Sequence, residues 1–347
     1  MAGLDDETLP PPLSEFDCRN NRLAQLTARQ DGFDDAVAQA QRRFGGARVG
    51  VFVGTSTSGL LQSELAYQHR EAGTGALPDD FRYGSTHNTY SLARFLRTRW
   101  GLSGPAWVQS SACASGAKAF GTAARAIAAG LVDAAVVGGV DTLCLTTLYG
   151  FGSLELLAPD PCRPFDAERN GISIGEAGAF VLLQRPQPGL PDMLQLIGFG
   201  ESSDAYHMSS PHPQGVGAHQ AMQHALAAAG LPPESIGYVN LHGTATPSND
   251  AAEDAAVFAL FGDSVPVSST KGAHGHALGA AGALEAVVCL LALRNQQIPG
   301  GVNTSRIDPA LRSAYLLENR IAPLRAVMSN SFGFGGSNCT LIFGAAR

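Results

Sequence analysis

The segment Ala106-Trp107-Val108-Gln109-Ser110-Ser111-Ala112-Cys113-Ala114-Ser115-Gly116 decides how this chain is read. Residues 106–110 suit a short strand, and a small-residue helical run over 114–130 follows, capped at Gly130. Cys113 therefore stands where a strand ends and a helix begins. At such an elbow the side chain is exposed, and the positive end of the helix favours a thiolate. Ala112, Ala114 and Gly116 leave room for a substrate. A cysteine is otherwise a small buried residue. That is the reading for Cys144, Cys162 and Cys289, none of which sits at a small-residue elbow.

The same rhythm extends outward. Residues 48–54 and 133–140 read as buried strands, and 34–43 and 86–99 as helices. A Pro-rich stretch at 184–191 divides the chain into halves, 1–188 and 189–347. Beyond it, strands at 194–200, 236–241, 265–269, 326–331 and 339–343 surround helices at 218–229, 250–260 and after His276. This alternation predicts a mainly parallel α/β architecture. Val267-Ser268-Ser269-Thr270 also leads into a small-residue helix, as Val108-Gln109-Ser110-Ser111 does, a faint sign of duplication.

Composition narrows the function. The 347 residues are 45% hydrophobic and 15% charged, which gives a globular chain with a large core. The net charge of −7, without a Lys/Arg run, argues against a nucleic-acid partner. Six scattered cysteines without a CxxC spacing read as reduced cytosolic thiols, so a cytoplasmic location is expected. The acidic start lacks a signal segment. The longest apolar run, 277–293, is broken by Gly279, Gly282 and Glu285 and reads as a buried helix rather than a span of ~20 residues.

Three further segments supply what a nucleophilic cysteine needs, a base and donors for an oxyanion. His242 ends an apolar strand and precedes Gly243, Thr244 and Thr246, hydroxyl residues suited to an amide-bearing ligand arm or to an ordinary cap. His276 lies at a helix start, which should keep it neutral. Lys271, in a Ser/Thr-Gly segment, is a candidate active-site charge. Asp250 and Glu253 open the helix after His242, where they complement its dipole or anchor Lys271. Phe332-Gly333-Phe334-Gly335-Gly336 lacks the Lys-Ser/Thr of a phosphate loop. It suits a tight turn with backbone N–H groups aimed at an oxyanion, walled by two phenylalanines. A metal set of His242, His274 and His276 does not match a zinc spacing.

As an ordered set these motifs resemble the β-ketoacyl-[acyl carrier protein] synthases, elongating condensing enzymes of the thiolase superfamily, from about Gly50 onward. The resemblance implies a duplicated five-layered αβαβα fold, an acyltransferase and a homodimer, with a heterodimer as the variant. It implies a triad of Cys113, His242 and His276. Cys113 takes an acyl group from an acyl carrier protein, and the histidines stabilise the enolate formed as malonyl-carrier protein loses CO2. Backbone N–H groups of Cys113 and Phe334 form the oxyanion hole. Lys271 with Asp250 and Glu253 is the supporting network. Thr244 and Thr246 bind the phosphopantetheine arm carried by the partner, and Phe332 and Phe334 line and gate the pocket. A structural monovalent cation is implied near Asn240, Glu285, Ser329 and Asn330, and no tightly bound cofactor.

Two departures qualify the resemblance. The strand and helix with which the family usually opens, roughly the first 40–50 residues of its pattern, are not recognised here, and three readings stand: a misassigned start, a truncated one, or a truly short one with another element completing the sheet. Residues 16–23 and 145–151 look more like synthases of aryl polyene or xanthomonadin-type pigments than of fatty acid elongation. Competing functions are a non-catalytic chain-length partner, which usually lacks the nucleophile, and an acyltransferase without condensation, which would not need paired histidines. Arg94, Arg97 and Arg99 form a candidate docking patch for the acidic carrier, or a solvated face.

Overall fold

The computed structural model describes residues 3–186 and 193–345, so the division at 188/189 lies outside the described residues. Two sheets organise the chain. The first contains β1 (Val49–Gly54), β2 (Ala106–Gln109), β3 (Ala134–Asp141) and β4 (Ala177–Gln184), in the order β2-β1-β3-β4. The second contains β5 (Leu194–Ser203), β6 (Tyr238–Asn240) and β7 (Pro266–Ser268). A short pair, β8 (Gln297–Ile298) and β10 (Arg320–Ile321), stands apart. Completing the second sheet are β9 (Ala314–Tyr315), β11 (Ala326–Gly333) and β12 (Ser337–Ala345), giving the order β5-β12-β11-β6-β7-β9.

The two sheets repeat one plan. β1 runs parallel to β2 and β3, and β4 returns antiparallel to β3. Likewise β6 runs parallel to β7 and β11, and β12 returns antiparallel to β11. The faint echo around Val108 and Val267 therefore marks corresponding strands, β2 and β7. One difference stands out. β5 covers the outer edge of β12, whereas among the described residues no strand covers β4. Residues Phe180 to Gln184 are accordingly half-buried, while Asn338 to Gly344 are buried.

Among the described residues the α-helices are α1 (Arg19–Ala28), α2 (Phe33–Phe44), α3 (Leu60–Gln68), α4 (Tyr90–Arg99), α5 (Ser115–Ala128), α6 (Leu145–Ser153), α7 (Val216–Ala229), α8 (Pro247–Phe261), α9 (Lys271–His274) and α10 (Ala281–Asn295). α5 and α10 lie between the sheets; α1, α2 and α4 cover the outer face of the first, and α7 and α8 that of the second. The result is αβαβα. Strand β1 demonstrates why its sequence is so apolar: Val49, Val51 and Val53 enter the outer core while Phe52 enters the central one. A parallel strand buried on both faces reads as a continuous apolar run.

Small residues let the central helices meet. A Cβ on Gly116 would lie 2.8 Å from Ala283 N, and one on Gly282 would lie 2.7 Å from Ala117 N. Residues 278–295 do reach the length and hydropathy of a membrane span, but 61% of them are buried in this central layer.

The opening residues hold more structure than their polarity suggests. Besides the expected helix α2, α1 packs on the first sheet, and Leu4, Leu13, Phe16 and Leu23 are buried. Their wide spacing hid them. Arg94 pairs with Glu15 and stacks on Phe16, and Arg99 pairs with Asp34. These two arginines therefore fasten the N-terminal segment to α4 rather than forming a free basic face.

Candidate active site

The elbow is built as the sequence predicts, with one correction. β2 delivers the chain to Ala112, whose φ of 48° is left-handed. Ser115 Oγ donates to the Ala112 carbonyl at 2.5 Å and accepts from Ser111 N at 2.8 Å, which closes the turn. Cys113 is 6% exposed rather than open to solvent. Burial pushes its thiol up to about 11. The Lys271 charge and the backbone N–H groups of Phe334 and Cys113 pull it back, but less. The expected lowering by the helix terminus does not prevail: α5 begins only at Ser115, and burial outweighs what pulls the thiol down.

His242 and His276 come from different elements of the second half. His242 follows β6. Its backbone N–H and that of Gly243 donate to the two oxygens of Glu253, at 2.8 and 2.7 Å. His276 lies five residues before α10, not at its start. Its N–H donates to the Ser173 carbonyl at 2.7 Å, and its own carbonyl accepts from Gly175 N at 3.0 Å. The rings stand 5.2 Å apart at 84°. Burial first, then the Lys271 charge, hold both imidazoles well below their ordinary range, so both are neutral. The helix dipole is not the cause for His276. Sγ of Cys113 and a ring nitrogen of each histidine lie within 4.8 Å of one another. Both ring nitrogens of His276 are buried without a partner. His274 instead faces Thr270 and Gly275, so the three-histidine set does not form.

Lys271 is fully buried, and its partner corrects the expected network. Its ammonium binds Glu285, donates to the His242 carbonyl at 2.5 Å and lies 3.5 Å from His242 Nδ1. Glu253 holds the His242 turn, and Asp250 accepts from Phe165 N and Ala245 N at 2.9 and 3.2 Å. Neither carboxylate anchors Lys271. Burial raises Glu285 and Glu253 to about 7 each, and Lys271 opposes that rise at Glu285.

Gly333 passes close to the elbow: a Cβ there would lie 3.2 Å from Cys113 N. This brings the Gly-rich turn onto Cys113. Phe332 stands 6.0 Å from the His242 ring and Phe334 5.4 Å from Phe151. Cys113, His242, His276, Thr244, Thr246, Phe332 and Phe334 line one pocket of about 50 Å³. That volume holds little more than a water or two. Thr244 and Thr246 face each other at 3.0 Å near the pocket, and Thr246 caps α8.

Of the residues expected around a cation, Asn330 donates to Glu253 at 3.2 Å and accepts from Thr340 at 2.9 Å. Asn240 Oδ1, Glu285 Oε2 and Ser329 Oγ are buried without a hydrogen-bond partner. Three orphan oxygens of this kind fit a hard monovalent cation better than they fit an empty core. Sequence reasoning missed Phe151, Leu156 and Ile172 in the pocket wall, because their helix and loop carry no chemistry-bearing motif. It also missed Asp204, which donates from its backbone to Gly336 at 2.9 Å and accepts from Asn338 at 2.7 Å, pinning the Gly-rich turn.

Comparison with known proteins shows the family. Residues 21–188 match the β-ketoacyl synthase N-terminal domain, and 194–305 match its C-terminal domain. The chain is 36% identical to 3-oxoacyl-[acyl-carrier-protein] synthase 2 of Vibrio cholerae over 86% of its own length and 76% of that protein's. Among solved structures, a ketosynthase (ApeO) from Xenorhabdus doucetiae, in complex with its chain length factor (ApeC), superposes with a TM-score of 0.88 at 42% identity. The match covers 98% of this chain and 84% of that one. A β-ketoacyl synthase from Burkholderia phymatum gives 0.89 at 32%, over 97% and 85%. With both family domains matched, and a relative 36% identical over 86% of its length, the chain belongs to the β-ketoacyl synthase family of acyl-transferring condensing enzymes.

Proposed function

We propose that Cys113, His242 and His276 carry a decarboxylative condensation in this chain. The observation that supports it is the convergence of one thiol and two neutral, buried imidazoles within 4.8 Å. The thiol is protonated at rest. As it attacks an acyl thioester, its proton passes to a neutral imidazole in reach, the tetrahedral oxyanion meets the N–H groups of Cys113 and Phe334, and the carrier thiol leaves. Malonyl-carrier protein then loses CO2. The enolate oxygen accepts hydrogen bonds from His242 and His276, which must be neutral donors for this role. Its carbon attacks the acyl-Cys113 thioester, the C–S bond breaks, and a 3-oxoacyl thioester leaves with the carrier.

Lys271, held by Glu285, fixes the His242 carbonyl and keeps both imidazoles neutral. Thr244 and Thr246 would hold the amide groups of a phosphopantetheine arm. Phe334 must swing from Phe151 to admit an acyl chain, because the present pocket is too small for one. Asn240, Glu285, Ser329 and Asn330 would hold a monovalent cation that rigidifies this floor. We read the acyl carrier protein as substrate carrier and the chain as a cytoplasmic dimer. The solved relative bound to its chain length factor favours a heterodimer over a homodimer, with Cys113 making this chain the catalytic member. The pigment-type reading over housekeeping elongation rests on residues 16–23 and 145–151. We also read the first sheet as one that lacks the counterpart of β5, within halves 1–188 and 189–347.

The test is product formation from acyl- and malonyl-carrier protein, with CO2 release measured beside it. Wild type should yield 3-oxoacyl product; Cys113→Ala should yield none while remaining folded. An unchanged product rate in that variant would sink the assignment.

A further inference from the structure

One buried carboxylate outside the triad ties together the two loops that carry it. Asp141 ends β3 and is fully buried. From the first half it accepts from Thr55 Oγ1 at 2.6 Å, Ser56 N at 2.9 Å, Thr57 N at 2.9 Å and Thr57 Oγ1 at 2.8 Å. From the second half it accepts from Gly279 N at 2.6 Å. Five donors saturate a carboxylate, which offers about four lone-pair sites.

Each side leads to the triad within a few atoms. Ser56 Oγ donates to the Ala112 carbonyl at 3.1 Å, and Ala112 is the left-handed residue that turns the chain into Cys113. Gly279 lies three residues beyond His276, just after Leu278, which is also left-handed at 49°. A Cβ on Gly279 would meet Asp141 Oδ2 at 2.7 Å and Ser56 N at 2.8 Å. The approach of the two halves at this point therefore admits no side chain.

We propose that Asp141 is a positioning residue for the condensation: by binding the 55–57 turn and Gly279 together, it fixes the separation of Cys113 from His276. The inference rests on the triad assigned above. It explains why a carboxylate sits in the central layer with no lysine or arginine among its five donors, where a neutral side chain could not satisfy all of them. It also predicts a kinetic signature. A positioning error of an ångström acts on the transition state and leaves carrier binding at the pocket mouth alone.

Two variants test it, Asp141→Asn and Ser56→Ala, the second breaking only the link to Ala112. Steady-state condensation is measured alongside peptide mapping of acylated Cys113 and the pH profile of Cys113 carboxymethylation. Asp141→Asn should lower kcat by at least ~10-fold with KM for malonyl-carrier protein within about twofold, and Ser56→Ala should lower kcat by ~3-fold. Removing the Asp141 charge, which raises the Cys113 thiol, should move the alkylation midpoint to lower pH. The proposal is overturned if kcat per acylated Cys113 equals wild type in Ser56→Ala and in any folded Asp141→Asn, or if the alkylation profile of folded Asp141→Asn does not move. Should wild type itself acquire no acyl group on Cys113, the triad assignment falls, and the positioning role falls with it.

Discussion

At Cys113 burial pushes the thiol up while the Lys271 charge and the Phe334 N–H pull it down, and burial prevails. The same burial keeps His242 and His276 neutral. This has a sign that stability measurements can read. A histidine depressed when folded binds its proton only on unfolding, so it stabilises the fold fully above pH ~6.5 and progressively less below it. Relative to His276→Asn, wild type should therefore lose about 1.4 kcal/mol per pH unit below 6.5. Urea unfolding of both proteins between pH 5 and 8 checks this; parallel curves would contradict it. The Lys271–Glu285 pair makes a second residue-scale prediction. Glu285→Gln leaves a fully buried ammonium without its counter-charge and should cost about 3 kcal/mol. Adding Lys271→Met should recover most of that loss, measured by the same unfolding midpoints. A double variant as weak as the single would mean the charge is not the problem.

Among the elements, α5 and α10 meet where Gly116 and Gly282 leave no space. Alanine at position 116 improves helix propensity by about 1 kcal/mol. Yet its Cβ would press on Gly279 O and Ala283 N, both backbone. Overpacking should win, and Gly116→Ala should destabilise by about 1–3 kcal/mol in chemical denaturation. A gain in stability would show that the helices can part. Elements of this kind were largely legible in the sequence. The strands from β1 to β3 and from β5 to β7, and the elbow at Cys113, announce themselves by apolar runs ending at Gly, Ser or His. β4 was not recognised, because Gly178 and Ala179 open it weakly and the Pro-rich stretch drew the eye. α1, α3 and α6 escaped too, since what packs on them lies far along the chain: α4 and β4 on α1, and α6 and α3 on each other.

At the scale of the whole molecule, duplication places each motif. β2 and β7 are equivalent strands, and Cys113 follows one while Lys271 follows the other. The triad residues were readable because each sits at a strand end or turn. Their partners were not: Asp141 reaches across the two halves to Gly279, and Glu285 reaches Lys271 from the next helix, and no spacing in one dimension reports either. The unmatched edge of β4 gives a further prediction. Its outward amides should exchange with solvent faster than those of β12, which β5 covers. Hydrogen exchange with peptide resolution decides; equal protection would mean another segment closes the sheet.

The central claim is that Cys113 holds the acyl group. Intact mass spectrometry after incubation with acyl-carrier protein tests it most directly, comparing wild type with Cys113→Ala. The account predicts one acyl adduct on wild type, mapped to Cys113, and none on the variant. An adduct that persists in Cys113→Ala, or none on folded wild type, would contradict it.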